Sequence, residues 1–202
     1  MTGLLLKDLR DLSVMVVHAP DRDGSALVEH LRRIGCRVEA HWPPPEDIPA
    51  FVDILFVAID RDIHRKITHL LRRASNDGPA VIAVVDYENP ATLQLVLETQ
   101  SLSVIGKPVR PFGLLANLVI ARNVWLQRQA LRRQIGKLEQ KLAGQQKVAK
   151  AKSILMDTQG LPERAAYESI RAQAMAKRTT MVEIANAIIN ANELLSFRPN
   201  RE

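Results

Sequence analysis

A chain of 202 residues has room for two small domains, or for one domain with an appendage. Its one cysteine, Cys36, excludes an internal disulfide framework, and its apolar runs, such as 54–59 and 81–85, fall far short of the ~20 residues that span a bilayer. The net charge of +6 is uneven: residues 1–120 sum to −2, residues 121–150 to +7 and residues 151–202 to +1. A concentrated basic stripe attracts polyanions by releasing their condensed counterions, or serves only as a solvated helix face. The opening MTGLLLKDLRDL mixes acids with bases and has no cleavage pattern, so the expectation is a chain of the reducing cytoplasm with no signal peptide and no membrane segment. There Cys36 reads as a buried small apolar residue.

From Leu12 to about Ile120, short apolar runs alternate with helical patterns. Strands are expected at 13–17, 37–41 (an edge), 53–59, 80–85 and 103–105. Helices are expected at 26–34, 63–74 and 90–100, and from Pro111 onward. Such alternation argues for an α/β fold with a parallel sheet covered on both faces, and ligands in that order of elements bind at the carboxyl ends of the strands. The run Leu31-Arg32-Arg33-Ile34-Gly35-Cys36-Arg37-Val38 resembles the helix-to-strand turn of response-regulator receivers, which have a flavodoxin-like, doubly wound sheet.

That resemblance implies a set of switch residues, and this chain departs from it. Where a receiver has an acidic pair after its first strand, His18-Ala19 stands here, with Asp21 and Asp23 following in the loop. The phosphoacceptor position, five residues beyond Asp53, is Ala58; Asp60 lies two residues too far along. The Ser/Thr position falls among Val84, Val85 and Asp86, and only Lys107, followed by Pro108, fits the family pattern. A methyl group takes no phosphate, and magnesium lacks its oxygen cage. The expectation is a pseudo-receiver at residues 1–120, with Asp60 or Asp86 as the alternative acceptors. The segment His41-Trp42-Pro43-Pro44-Pro45-Glu46 is a stiff loop with little ordering entropy to lose, suited to docking or simply to spanning two strands.

Beyond Pro111 no proline occurs up to Lys152. Val124, Leu131, Leu138 and Gln145 repeat every seven residues and interleave with Arg128, Ile135, Leu142 and Ala149, which is the spacing of a coiled-coil seam. Residues 121–150 are therefore expected to be a basic linker helix that pairs in a parallel homodimer through Val124, Leu131, Ile135, Leu138 and Leu142. Folding back onto the first domain is the alternative. Gly136, Gly144, Arg128 and Gln145 weaken the seam.

Residues 151–202 read as a bundle of three short helices, too small for an enzyme. Leu155, Met156 and Leu161 mark the first helix, which Gly160 and Pro162 break. Ala166, Tyr167, Ile170, Ala174 and Met175 mark the second helix. Thr180 and Glu183 form a capping box for the third, whose stripe is Val182, Ala185, Ile188 and Ile189. The ordered set Ala151-Lys152, Leu155-Met156, Gly160-Leu161, Ala166-Tyr167, Arg171 and Ala174-Met175 resembles the ANTAR domain of transcription antitermination regulators. Taken with the pseudo-receiver and the proline loop, nearly the whole chain is similar to the amidase-regulator branch of that family.

The resemblance implies binding to hairpins in a leader mRNA, which favours an antiterminator. It also implies silencing by a ligand-sensing, amide-type repressor protein of periplasmic-binding-protein fold, in place of phosphorylation. RNA contacts are then expected from Lys152, Arg164, Arg171, Lys177 and Arg178. Tyr167 is a stacking group or, since it falls beside Ile170, a core residue. Lys177 and Arg178 also suit a helix C-terminus without any ligand.

Met181–Leu195 carries no Lys or Arg, which disfavours a DNA-recognition helix; a DNA-binding response regulator and a receiver-type protein adaptor remain as alternatives. The five histidines lack zinc-helix spacing, with His64 and His69 on a charged helix, and Asp23-Gly24-Ser25 is only a turn at a helix start. No nucleophile elbow or phosphate loop is present. No cofactor, metal or enzymatic activity is expected.

Overall fold

The computed structural model describes residues 6–60, 62–73, 78–86 and 90–196. The expected helix end at Ala74 and the last residues of the expected bundle, 197–202, lie outside them. Five strands, β1 (Ser13–Val17), β2 (Arg37–His41), β3 (Ile54–Ala58), β4 (Ala80–Val85) and β5 (Ser103–Gly106), form one parallel sheet in the order β2-β1-β3-β4-β5. β3 and β4 are buried along their whole length, as parallel strands covered on both faces must be.

Side-chain alternation divides the core between the two faces. Val14, Val16, Ile54, Phe56, Ile82 and Val84 pack with Leu27 and Leu31 of α1 (Arg22–Ile34) and with Leu114 and Leu118 of α4 (Pro111–Gln159). Met15, Val17, Leu55, Val57, Ala83 and Val85 pack with Ile67 of α2 (His64–Arg73) and Val96 of α3 (Pro90–Glu98). Cys36 joins the first cluster; its thiol donates to the Leu9 carbonyl oxygen at 3.5 Å, and burial raises its pKa.

Helix α1 begins four residues before the expected start, because Asp21 caps it by accepting from the Gly24 amide at 2.8 Å. No helix connects β2 to β3. The loop that begins Trp42-Pro43-Pro44-Pro45 makes that crossing instead, with Ile48 and Val52 packed on the second core. Prolines remove the donors that a helix needs, so the loop takes the helix's place as cover.

Helix α4 breaks near its start, where Phe112 is extended and Gly113 has φ of 87°, and then continues through Gln159. Its early turns are tied to the sheet: Arg122 donates to Asp53 at 2.8 Å and lies over the Trp125 ring, and Trp125 Nε1 donates to the Gly78 carbonyl. Contacts divide the chain into two compact units, Met1–Leu131 and Arg132–Glu202. The expected divisions at 120 and 150 both fall inside this one continuous helix. In the second unit, the end of α4 packs with α5 (Glu163–Ala176) and α6 (Met181–Ser196) around Ala151, Leu155, Ala166, Ile170, Ala174, Ile184, Ala185 and Ile189.

Candidate nucleic-acid interface

The carboxyl ends of β1, β3 and β5 bring together what stands at the receiver switch positions. Ala58 is the buried last residue of β3. His18 is buried, with Nδ1 2.8 Å from the Ala19 carbonyl oxygen, to which it donates, and 3.5 Å from Asp21. Asp21 caps α1. Burial raises its pKa, but the Gly24 amide and the charges of His18 and Lys107 more than reverse this and leave it lowered. Asp23 accepts from the Val109 amide at 2.7 Å, and Lys107 pairs with Asp86 at 2.8 Å. Asp60 is exposed and accepts from the Asp62 amide. Each of these acids thus has a structural partner. Among the described residues no three His, Cys, Asp or Glu side chains converge as a metal site would require. Beside His18, a cleft of about 550 Å³ opens between α1 and the end of β2, with the half-exposed Trp42 among its lining residues.

The second unit holds the nucleic-acid candidates, and its turns fix their positions. Gly160, with φ of 64°, ends α4. The capping box is formed in both directions: the Glu183 amide donates to Thr180 Oγ1 at 3.2 Å and the Thr180 amide donates to Glu183 at 3.0 Å. Glu183 also accepts from the Thr179 hydroxyl, the largest cause of its lowered pKa. Between α5 and α6, the Arg178 amide donates to the Met175 carbonyl and the Thr179 amide to the Ala174 carbonyl, a Schellman closure with Arg178 left-handed at φ 51°.

The six expected contacts do not form one cluster. Lys152 is partly buried and pairs with Glu163 at 2.5 Å, which holds the Glu163 carboxyl below its usual pKa. Arg164 is exposed, and Arg171 is exposed with Glu168 3.8 Å away. Tyr167 is 41% exposed, which overturns the alternative that it is a core residue, and Met175 is 71% exposed. The buried stripe of α5 is Ala166, Ile170 and Ala174, and one further residue turns a side chain 100° away from it. Arg164, Tyr167, Arg171 and Met175 share one exposed face of α5, about 100° round from that stripe. Lys177 and Arg178 lie at its C-terminal end, roughly 20 Å along the helix from Arg164.

On α4, the seam residues Leu131, Ile135, Leu138 and Leu142 are each more than half exposed, and Val124 is partly buried. Gly144, which reads in sequence as a weakness in the helix, is buried. A methyl group added there would stand 3.0 Å from Cγ2 of Val182, so the glycine lets α6 approach α4 closely.

Comparison with known proteins agrees with this arrangement. The family profile described as AmiR, N-terminal matches residues 12–122, and that of the ANTAR domain matches residues 136–189. The aliphatic amidase regulator of Pseudomonas aeruginosa is 34% identical over 185 residues, covering 92% of this chain and 94% of that protein. The nitrate regulatory protein of Klebsiella oxytoca is 38% identical over 71 residues, 35% of this chain and 18% of that protein. Among solved structures, the response regulator StyR matches with a TM-score of 0.51 at 15% identity, over 88% of this chain and 99% of that one, a likeness of fold alone. The α/β receiver-like unit, the long helix and the helical bundle therefore belong to a member of the amidase-regulator (AmiR) family of ANTAR antitermination regulators.

Proposed function

We propose that this chain is an RNA-binding transcription antiterminator that binds hairpins in a leader transcript and so prevents termination. The observation that carries this reading is the distribution of cations in the bundle. The outer face of α5 presents Arg164, Tyr167 and Arg171 and leads to Lys177-Arg178, whereas α6 has no Lys or Arg between Met181 and Leu195. Splayed hairpin bases can stack on Tyr167 or on guanidinium planes while the lysines meet phosphates. A helix without cations is poorly suited to a DNA major groove. Lys152 contributes only if it leaves Glu163. The full chain, free of any partner, should bind an RNA of two tandem hairpins, with affinity falling steeply as salt rises. A chain that ignores this RNA at low salt yet captures a protein is an adaptor instead.

Control in this reading comes from sequestration by a ligand-sensing repressor of the periplasmic-binding-protein type, with the chain acting as a cytoplasmic homodimer through the α4 seam. The exposed Trp42 and Phe51, near the two ends of the proline loop, supply apolar anchors for such a partner. Phosphorylation has no part in it. Acetyl phosphate with magnesium should leave the intact mass unchanged, because Ala58 holds the acceptor position. A stable phosphate adduct on Asp60 or Asp53 would refute this.

A further inference from the structure

Two groups stand out among the cations of the second unit. Lys150 pairs with Glu193 at 2.9 Å, Lys152 with Glu163 at 2.5 Å, and Arg171 stands 3.8 Å from Glu168. Arg133, Lys137, Lys141, Lys177 and Arg178 are exposed and make no ion pair with a described acid.

Helical geometry and the Gly144–Val182 contact place this second group toward one end of the unit. Lys137, Lys141, Gly144, Val148, Ala151 and Leu155 follow one another at steps of four and three, so they form one stripe along α4. The lower part of that stripe is bundle core, and Gly144 meets Val182 in the first turn of α6. Val182 lies four residues after Arg178, so the α5–α6 turn stands at the level of Gly144. Lys141 and Lys137 continue the same stripe about 4.5 and 10.5 Å further up α4, above the point where α6 covers it. Two acids are close in sequence. Glu139 lies about 200° round the helix from Lys137, and Glu183 is held by Thr179 and Thr180. The mean direction of Arg133, Lys137 and Lys141 differs by roughly 130° from that of Leu131, Ile135, Leu138 and Leu142, at 100° per residue.

We infer that the corner between the bare upper stripe of α4 and the α5–α6 turn is the phosphate-backbone site of this protein, with Lys137 and Lys141 joining Lys177 and Arg178 on an RNA strand. This rests on the RNA-binding reading above and adds a surface outside the three-helix core. Cations already paired with acids give up that partner to bind phosphate, whereas the corner cations release only counterions. Because the apolar seam faces elsewhere, α4 can pair with a second helix and hold RNA at the same time.

The test compares two double variants of the full chain, each removing two charges from the same helix: Lys137→Gln/Lys141→Gln and, off that stripe, Lys147→Gln/Lys150→Gln. The probe is a synthetic RNA of two tandem hairpins, titrated over a range of salt. The first variant should bind about ten-fold more weakly and lower the log–log salt slope by roughly 1.5, the loss of two phosphate contacts. The second should stay within about three-fold of the parent, with its slope nearly unchanged. Glutamine keeps helix propensity, and Lys137→Arg/Lys141→Arg should keep both affinity and slope. If both Gln variants weaken alike, or the second weakens more, the corner is not the site. If the parent itself shows no salt-dependent binding to this RNA, the RNA-binding reading falls and takes this inference with it. The two failures are thus distinct.

Discussion

A full-length Lys177→Ala/Arg178→Ala variant is expected to bind a two-hairpin leader RNA ten- to a hundred-fold more weakly than the parent. That corresponds to roughly 1–3 kcal/mol for losing two charge-assisted contacts at once. The bundle should stay folded, because both side chains are exposed at the end of α5, away from the Ala166-Ile170-Ala174 stripe. The backbone offers a finer separation of contact from fold. Arg178 occupies the left-handed position of the Schellman closure, which glycine takes without strain. Arg178→Gly should therefore unfold at an equal or higher temperature while still losing its share of binding. Ala166→Asp works in the opposite way: a carboxylate at a fully buried position must be desolvated without a partner, so binding disappears because the bundle unfolds. Should the double variant bind and antiterminate like the parent, the proposed contact surface is wrong.

Most strands of the first unit were legible because they are short apolar runs bounded by turn residues, and β2, Arg-Val-Glu-Ala-His, because it follows the glycine turn at Gly35 as a polar edge strand. Three of them, Ser13–Val17, Arg37–His41 and Ala80–Val85, begin and end where the pattern does. The start of α1 was obscured because Arg22-Asp23-Gly24 shows no apolar period; its signal was the Asp21 cap. The outward direction of Tyr167 and Met175 was hidden for a different reason. Each follows a small buried alanine, and an Ala-Tyr or Ala-Met pair does not tell which of the two residues faces inward. Ile184 was missed in the same way, beside the expected Val182 and Ala185. The pairing of cations with acids was least legible. Lys150 and Glu193 are 43 positions apart and Lys152 and Glu163 are 11 apart, so tertiary packing alone brings them together.

Replacing Leu131 and Leu138 together with Glu should convert a dimer to monomer, read as a halved mass in sedimentation. In the single chain both side chains are more than half exposed, in a row with Ile135 and Leu142 at coiled-coil spacing. Such a row of large apolar side chains on a charged helix is costly unless covered. At about 1.5–3 kcal/mol for each buried leucine, the four leucines of a pair contribute on the order of 6–12 kcal/mol, and four carboxylates in their place would repel one another across the seam. An unchanged mass would place the interface elsewhere or have the seam fold back. The same variant also separates assembly from RNA contact. Two bundles on one dimer turn the second hairpin into an intramolecular encounter, which raises affinity without any new contact. The Leu131→Glu/Leu138→Glu monomer should therefore bind a single hairpin as the parent does and lose its advantage only on the tandem RNA. An equal loss on both RNAs would mean that the seam residues touch RNA themselves.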